Sequence, residues 1–339
     1  MMVTSAMRDI RWTPRSAPGA DDPSLANDTD RFAGQHVLSM RQYDRSDLEQ
    51  LYTATDTLFS EEYDASDKPL EGKILLSAFF EKSTRTRLSH ETAMLRLGGS
   101  VSGFADAQVT RAAGLAQEAH EDIYRMLSFY GDVLVTRHPD TGAPGKAAHV
   151  ASIPVINAGD GLGEHPTQAM TDLYTLRQEF GRIDDLRILF TEDLRMRCIR
   201  SLLIGLQHYN CEIHCLPAAG KGLDPTLVQE LRAHGRLVIE HSDLIRALPA
   251  VDVVYTSPTL RDDVPRQPPT DTPSQPSSVT ITRDVLEQHA GAGLVVLNEL
   301  PRRGELSSDV DETPFNRYWK QAANGLPVRM ALLKLMFGK

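Results

Sequence analysis

Short apolar runs alternate with helix-periodic stretches along most of this chain, and they do so in two successive sets. The first set comprises 73–79, 100–104, 132–136 and 153–157; the second comprises 186–191, 211–216, 237–240, 251–256 and 294–298. Runs this short and continuously apolar, separated by helices, belong to strands of a parallel sheet covered on both faces. The pattern predicts an α/β fold of two doubly wound parallel-sheet domains. A length of 339 residues fits two cores better than one. The helical stretch from Glu164, with Met170, Leu173, Leu176 and Phe180 near one face and Gly181 as its stop, is the expected bridge.

The flanks read differently. Residues 1–35 are rich in Pro, Ser, Ala and Asp without periodicity, and are expected to be a disordered tail. A helix is expected over 44–58 with Ser46 as its cap, a long loop over 264–280, and a helix after a turn within 314–337. The domain reading is 36–165 and 166–321, with 322–339 packing back to complete the first.

The formal charge of −10 argues against nucleic acid as a partner. An anionic ligand would have to be held by a local cluster of donors. No apolar run is long enough to span a bilayer, and the N-terminus lacks a signal-peptide core, so no membrane contact and a cytoplasmic location are expected. Cys198, Cys211 and Cys215, odd in number, read as reduced thiols, and no metal site is expected.

Three polar segments follow strands of the first set. The loop Ser83-Thr84-Arg85-Thr86-Arg87 sits where a strand ends and a helix begins. Free N–H groups, hydroxyls and planar guanidinium donors there suit a phosphate. Arg137-His138-Pro139 follows the third run, and the stretch from Gly159 through His165-Pro166-Thr167-Gln168 follows the fourth. Alone, each segment is also consistent with a capped helix. Three at successive strand ends converge on one crevice.

These segments, together with Val310-Asp311-Glu312-Thr313-Pro314, Gln321-to-Gly325 and Arg329-to-Leu333, closely resemble the aspartate and ornithine carbamoyltransferases, nearer the aspartate branch. The resemblance covers nearly everything from residue 35 onward. It implies that Ser83, Thr84, Arg85 and Thr86 cradle the phosphate of carbamoyl phosphate. It implies further that Thr86, Arg137 and His165 donate to the carbamoyl oxygen, while Gln168 and the Leu300 carbonyl, before Pro301, hold the carbamoyl NH2. Arg85, Thr86, Arg137, His165 and Gln168 would be the catalytic set. An amine attacking the carbamoyl carbon drives negative charge onto its oxygen, and preorganised donors lower that barrier. No cofactor or metal is implied. A homotrimer with sites at subunit interfaces is.

The acceptor side departs from the pattern. A one-residue gap gives Arg197 the role of gripping the acceptor's α-carboxylate, with Arg195 and Arg200 as alternatives. Pro258 and Leu260 stand where aspartate-specific enzymes place an Arg and a Gln; Arg261 is the nearby cation. Asn298-Glu299-Leu300-Pro301 replaces His-Pro-Leu-Pro. No lysine occurs in 108–117, where the aspartate branch sends one into a neighbouring site, and Arg111 is the available substitute. These departures predict a carbamoyltransferase whose acceptor is an amino acid or related amine other than aspartate. The competing readings are an ordinary aspartate enzyme rebuilt around Arg261 and a catalytically weak binding or scaffold subunit. A nicotinamide dehydrogenase is disfavoured, because no G-x-G-x-x-G follows either first strand.

Overall fold

The computed structural model describes residues 31–59, 64, 66–111, 118–259 and 280–339. Two all-parallel sheets stand in succession. The first contains β1 (Ile74–Phe79), β2 (Ser100–Phe104), β3 (Val133–His138) and β4 (Val155–Asp160), in the order β2-β1-β3-β4. The second contains β5 (Arg187–Glu192), β6 (Glu212–Pro217), β7 (Leu237–Glu240), β8 (Val253–Ser257) and β9 (Val295–Leu297), in the order β7-β6-β5-β8-β9. In both sheets the strand order reverses beside the first strand, which opens a crevice at the carboxyl ends of β1 and β3 and of β5 and β8.

Helices cover the sheets: α1 (Arg45–Thr57), α2 (Arg85–Arg96), α3 (His120–Leu127) and α4 (Ala143–Val150) in the first half, then α5 (Pro166–Phe180) between the halves. The second half holds α6 (Arg197–Leu206), α7 (Pro225–Ala233), α8 (Leu244–Ala247) and α9 (Arg283–His289), and the chain closes with α10 (Tyr318–Met336). The bridging helix α5 is buried along 169–176 and packs on α6 and α10. Being apolar on more than one face, it belongs to both cores. The closing helix α10 lies against α1, α2 and α5, with Val328, Ala331, Leu332 and Leu333 fully buried. The two doubly wound domains, the bridging helix and the returning C-terminal helix expected from the sequence are all present.

Three local expectations change. The cap of α1 is Asp44, not Ser46: its carboxylate accepts from the N–H groups of Ser46 at 2.8 Å and Asp47 at 3.1 Å, and Asp47 returns the bond to Asp44 N at 2.8 Å. Ser46 is already the second residue of the helix, and its own N–H is one of those the preceding cap must satisfy. Order reaches back before Gln35, since Phe32 is fully buried and stacks on Tyr43 at 5.0 Å. Residues 1–30 and most of the expected 264–280 loop lie outside the described residues. Strands β3 and β4 also run past their apolar cores into Arg137-His138 and Gly159-Asp160. The ladder can include these polar residues because His138 and Asp160 have local hydrogen-bond partners and Arg137 an ion-pair partner in Glu81.

Candidate active site

The three polar segments of the first sheet do converge. Thr86, in the first turn of α2, and His165, immediately before α5, are both buried, and Thr86 Oγ1 lies 3.2 Å from His165 Nε2. The N-cap position of α2 is Thr84, which makes no side-chain capping bond, so no side chain competes for the helix's first N–H groups. Ser83 is half-buried and Thr84 and Arg85 are exposed. Arg85 is pulled below the usual guanidinium range by partial burial, an effect opposed by the field of Glu299. Arg87 turns out of the loop onto Glu91 at 3.0 Å, so only one of the two expected arginines stays there.

Arg137, from the end of β3, is deeply buried. Burial and then the nearby Arg197 push it down to about 10, against the opposing charge of Glu81, which lies 3.3 Å away. It still carries its charge at neutral pH. His165 is pushed well below the ordinary imidazole value by burial and by Arg137, Arg197 and Arg329, so it stays neutral. Its Nδ1 is enclosed with no hydrogen-bond partner. Gln168 donates from Nε2 to Asp172 at 2.8 Å, which orients the amide and leaves Oε1 as its acceptor atom.

Arg197 is the one of the three acceptor candidates that reaches across to the first sheet. It donates to Glu81 at 3.1 and 3.4 Å and to the Gly161 carbonyl at 3.2 Å. Arg195 is engaged by Asp193 at 2.9 and 3.0 Å, and Arg200 by Asp224 at 3.1 Å. Glu81 therefore joins Arg137 and Arg197. Burial would raise its pKa, and the two arginines outweigh that and lower it. Gly159 lies beneath both guanidinium groups at φ +113°; a Cβ there would sit 2.9 Å from Arg197 Nε and 3.4 Å from Arg137. Glycine is required both for the backbone angle and for the approach.

Several organising residues went unassigned at the sequence level. Asp160 accepts from Gly142 N at 2.6 Å, Asn157 Nδ2 at 3.0 Å and Glu164 N at 2.7 Å, which shapes the turn before His165. Glu164 accepts from Ser39 Oγ at 2.5 Å and Ser201 Oγ at 3.2 Å, while Ser201 Oγ also accepts from His165 N at 2.8 Å. Asp172, raised to about 6 by burial, also accepts from Gln321 at 2.7 Å and Tyr255 at 3.0 Å. Arg329, lowered to about 10 by burial, donates to Gly325 O at 2.8 Å and to Thr167 Oγ1 at 3.4 Å. A lone carboxylate two residues before the Ser-Thr-Arg run was the available signal for Glu81. The others are visible only in three dimensions.

At the second sheet's strand ends, Leu300 is buried at φ +58° before Pro301. Its N–H donates to Asn298 Oδ1 at 2.6 Å, and Asn298 in turn donates to Glu305 at 2.8 Å. This brace holds a leucine in the left-handed region, where a non-glycine residue is costly. Ser257 donates to Glu299 Oε1 at 2.5 Å, and Thr259 donates to Glu192 at 2.5 Å. Pro258 is buried between them. Arg261 and Leu260 fall outside the described residues, as do 112–117; Arg111, just before that stretch, is exposed.

Comparison with known proteins agrees with this geometry. Residues 35–178 match the model of the aspartate/ornithine carbamoyltransferase carbamoyl-P binding domain, and residues 184–336 match that of the Asp/Orn binding domain. An aspartate carbamoyltransferase catalytic subunit from Methanopyrus kandleri is 41% identical over 311 residues, covering 91% of this chain and 98% of the relative. One from Korarchaeum cryptofilum is 43% identical over 301 residues, covering 88% and 97%. The crystal structure of aspartate transcarbamoylase from Trypanosoma cruzi with aspartate and phosphate is 30% identical, with a TM-score of 0.81 over 90% of this chain and 95% of that one. The same enzyme with carbamoyl phosphate and aspartate gives 0.78 over 90% and 97%.

Proposed function

The chain belongs to the aspartate/ornithine carbamoyltransferase family and is a carbamoyltransferase, and on that premise we propose that it transfers the carbamoyl group of carbamoyl phosphate to the α-amino group of aspartate. The single observation that carries the chemistry is the meeting of Thr86 Oγ1 and His165 Nε2 at 3.2 Å beside the buried, charged Arg137. A carbamoyl oxygen placed among these three gains negative charge as the amine attacks. Fixed donors in a water-poor site stabilise that charge without reorganising. Ser83, Thr84, Arg85 and Thr86 take the phosphate, and the Gln168 Oε1 and Leu300 carbonyl oxygens accept from the carbamoyl NH2. Arg197 takes the acceptor's α-carboxylate in exchange for Glu81. Phosphate leaves as the new C–N bond forms, and one of its oxygens can take the amine's proton. Holding both substrates in line supplies much of the remaining acceleration.

Aspartate is favoured over the expected other amine because relatives 38–43% identical over most of the chain carry the aspartate name. A second reading, an amine other than aspartate, rests on Pro258 and Glu299 at the second sheet's strand ends. We further propose the division 36–165 with 322–339 for the donor and 166–321 for the acceptor, a homotrimer with Arg111 near a neighbour's site, and a cytoplasmic place, in keeping with three buried free thiols. Among the described residues no helix is long and apolar enough to cross a membrane. The test is phosphate release with saturating carbamoyl phosphate across a panel of amines. Aspartate as the best acceptor is the expected result; turnover of other amines without aspartate overturns the acceptor, and turnover of none overturns carbamoyl transfer.

A further inference from the structure

Among the described residues, Glu299 is the one carboxyl at the second sheet's strand ends with a buried oxygen left over. Glu192 is satisfied by Thr259 and Asp193 by Arg195. Glu299 Oε1 accepts from Ser257 at 2.5 Å, while Oε2 is shut off from solvent and has no hydrogen-bond partner. No cation pairs with it among the described residues. The groups around it are Ser257 and Tyr255 on β8, Asp172 on α5, Cys198 on α6, Glu305 beyond β9, and Arg85 across the cleft on α2. Two of these are carboxyls, and Arg85 acts only at a distance. A buried carboxyl facing like charges without an ion pair keeps its proton, and a protonated carboxyl is a hydrogen-bond donor. Its position matters as well: it precedes Leu300, whose carbonyl faces the donor substrate in the reading above, and it is bound to the residue before Pro258, where the chain lacks a side-chain cation.

We propose that Glu299 is a specificity-determining residue of the acceptor pocket, its carboxylic acid group turning about its side-chain bonds to bring Oε2 out to the bound acceptor and donate a hydrogen bond to the distal carboxylate of aspartate. This rests on the aspartate reading. It explains how a pocket with a proline and a glutamate at these positions accepts a second carboxylate: the recognition is acid to carboxylate, beside a Pro258 that offers no side-chain cation. Burial, followed by the fields of Asp172 and Glu305, raises the Glu299 carboxyl to about 8 against the lowering bond from Ser257. The neutral form therefore prevails at neutral pH and is lost as pH rises through that value. Ionised Glu299 would repel the same ligand.

The experiment follows inhibition by butanedioate, which has aspartate's two carboxylates and no titrating amine, at saturating carbamoyl phosphate across the interval around pH 8. In the wild type the inhibition constant is expected to climb toward about tenfold per pH unit on the alkaline side. Glu299→Gln carries an amide N–H at every pH, so this limb disappears. Ser257→Ala removes the bond that favours ionisation and moves the limb to higher pH. A merely structural role for Glu299 would produce neither shift. An alkaline limb unchanged in Glu299→Gln, with aspartate still turned over, overturns this inference alone. Carbamoyl transfer to other amines but none to aspartate overturns the aspartate reading as well. Melting temperatures of the variants no lower than that of the wild type near neutrality identify any loss of binding as local.

Discussion

The strand ends of the two sheets face one cleft with opposite chemistry. The first sheet presents Arg85, Arg137, His165 and the uncapped start of α2, with Glu81 as the carboxylate among them. The second presents Glu192, Asp193 and Glu299, two of them bound by neighbouring hydroxyls, and sends Arg197 across to the other side. The first sheet's strand ends thus gather cationic groups, while the described strand ends of the second are acidic, and their cation, Arg197, is held by Glu81 across the cleft. A donor site with fixed geometry tolerates little change. An acceptor site assembled from loops can be rebuilt without losing the chemistry.

The sharpest way to break this contrast is to remove a donor from the first sheet. Arg137→Ala should lower kcat by about 10²–10³-fold, measured as phosphate release at saturating substrates. A fall confined to KM would move Arg137 from catalysis to binding. Arg197→Ala should act on the acceptor instead, raising the aspartate KM by roughly 10–100-fold, the worth of a charge-assisted hydrogen bond. If the carbamoyl phosphate KM rises equally, Glu81 and Arg197 belong to one shared site. Asp172→Asn should free the Gln168 and Gln321 amides and reduce kcat by about tenfold, a step short of losing a direct donor. Arg200→Ala, which cuts only a partly exposed pair with Asp224, should change the aspartate KM by less than about twofold and stability by less than about 1 kcal/mol.

Proton linkage sharpens the contrast from the stability side. Glu299 is raised in the fold above its usual 4.5 to about 8. The folded chain therefore holds a proton that the unfolded chain releases, and stability falls as pH rises between those two values. The melting temperature of Glu299→Gln relative to the wild type should grow across that interval and level off above it. A constant difference would mean that Glu299 is ionised throughout.

The donor half was legible because its residues lie within a few positions of each strand end, where the apolar run itself announces the crevice. Ser83 to Thr86 form the turn into α2, Arg137 lies in the end of β3, and His165-Pro166 stands at the start of α5. The acceptor half was less so. Which of Arg195, Arg197 and Arg200 enters the cleft depends on the helical phase of α6 and on Asp193 and Asp224, which hold the other two. Arg87 shows the same limit: Glu91, one turn on, draws it away. Asp172 and Arg329 take their meaning from partners across the fold. Strands β3 and β4 run past the expected apolar runs at their carboxyl ends, because apolarity stops where the polar strand-end residues begin.

The place of α10 has a consequence for how the molecule is made. The helix that seals α1, α2 and α5 follows both sheets in the chain, and Gly34 N is bonded to Met336 O at 2.9 Å, joining the two ends of the described chain. The first sheet can form early, yet the apolar face that α10 will cover stays open until Tyr318–Met336 have been made. A nascent chain stalled before residue 318 should therefore hold a sticky, half-sealed donor lobe that chaperones recognise. Because the ends meet, a circular permutant that joins them and opens the chain at an exposed turn in the second half would put α10 next to α1 in translation order and close that window.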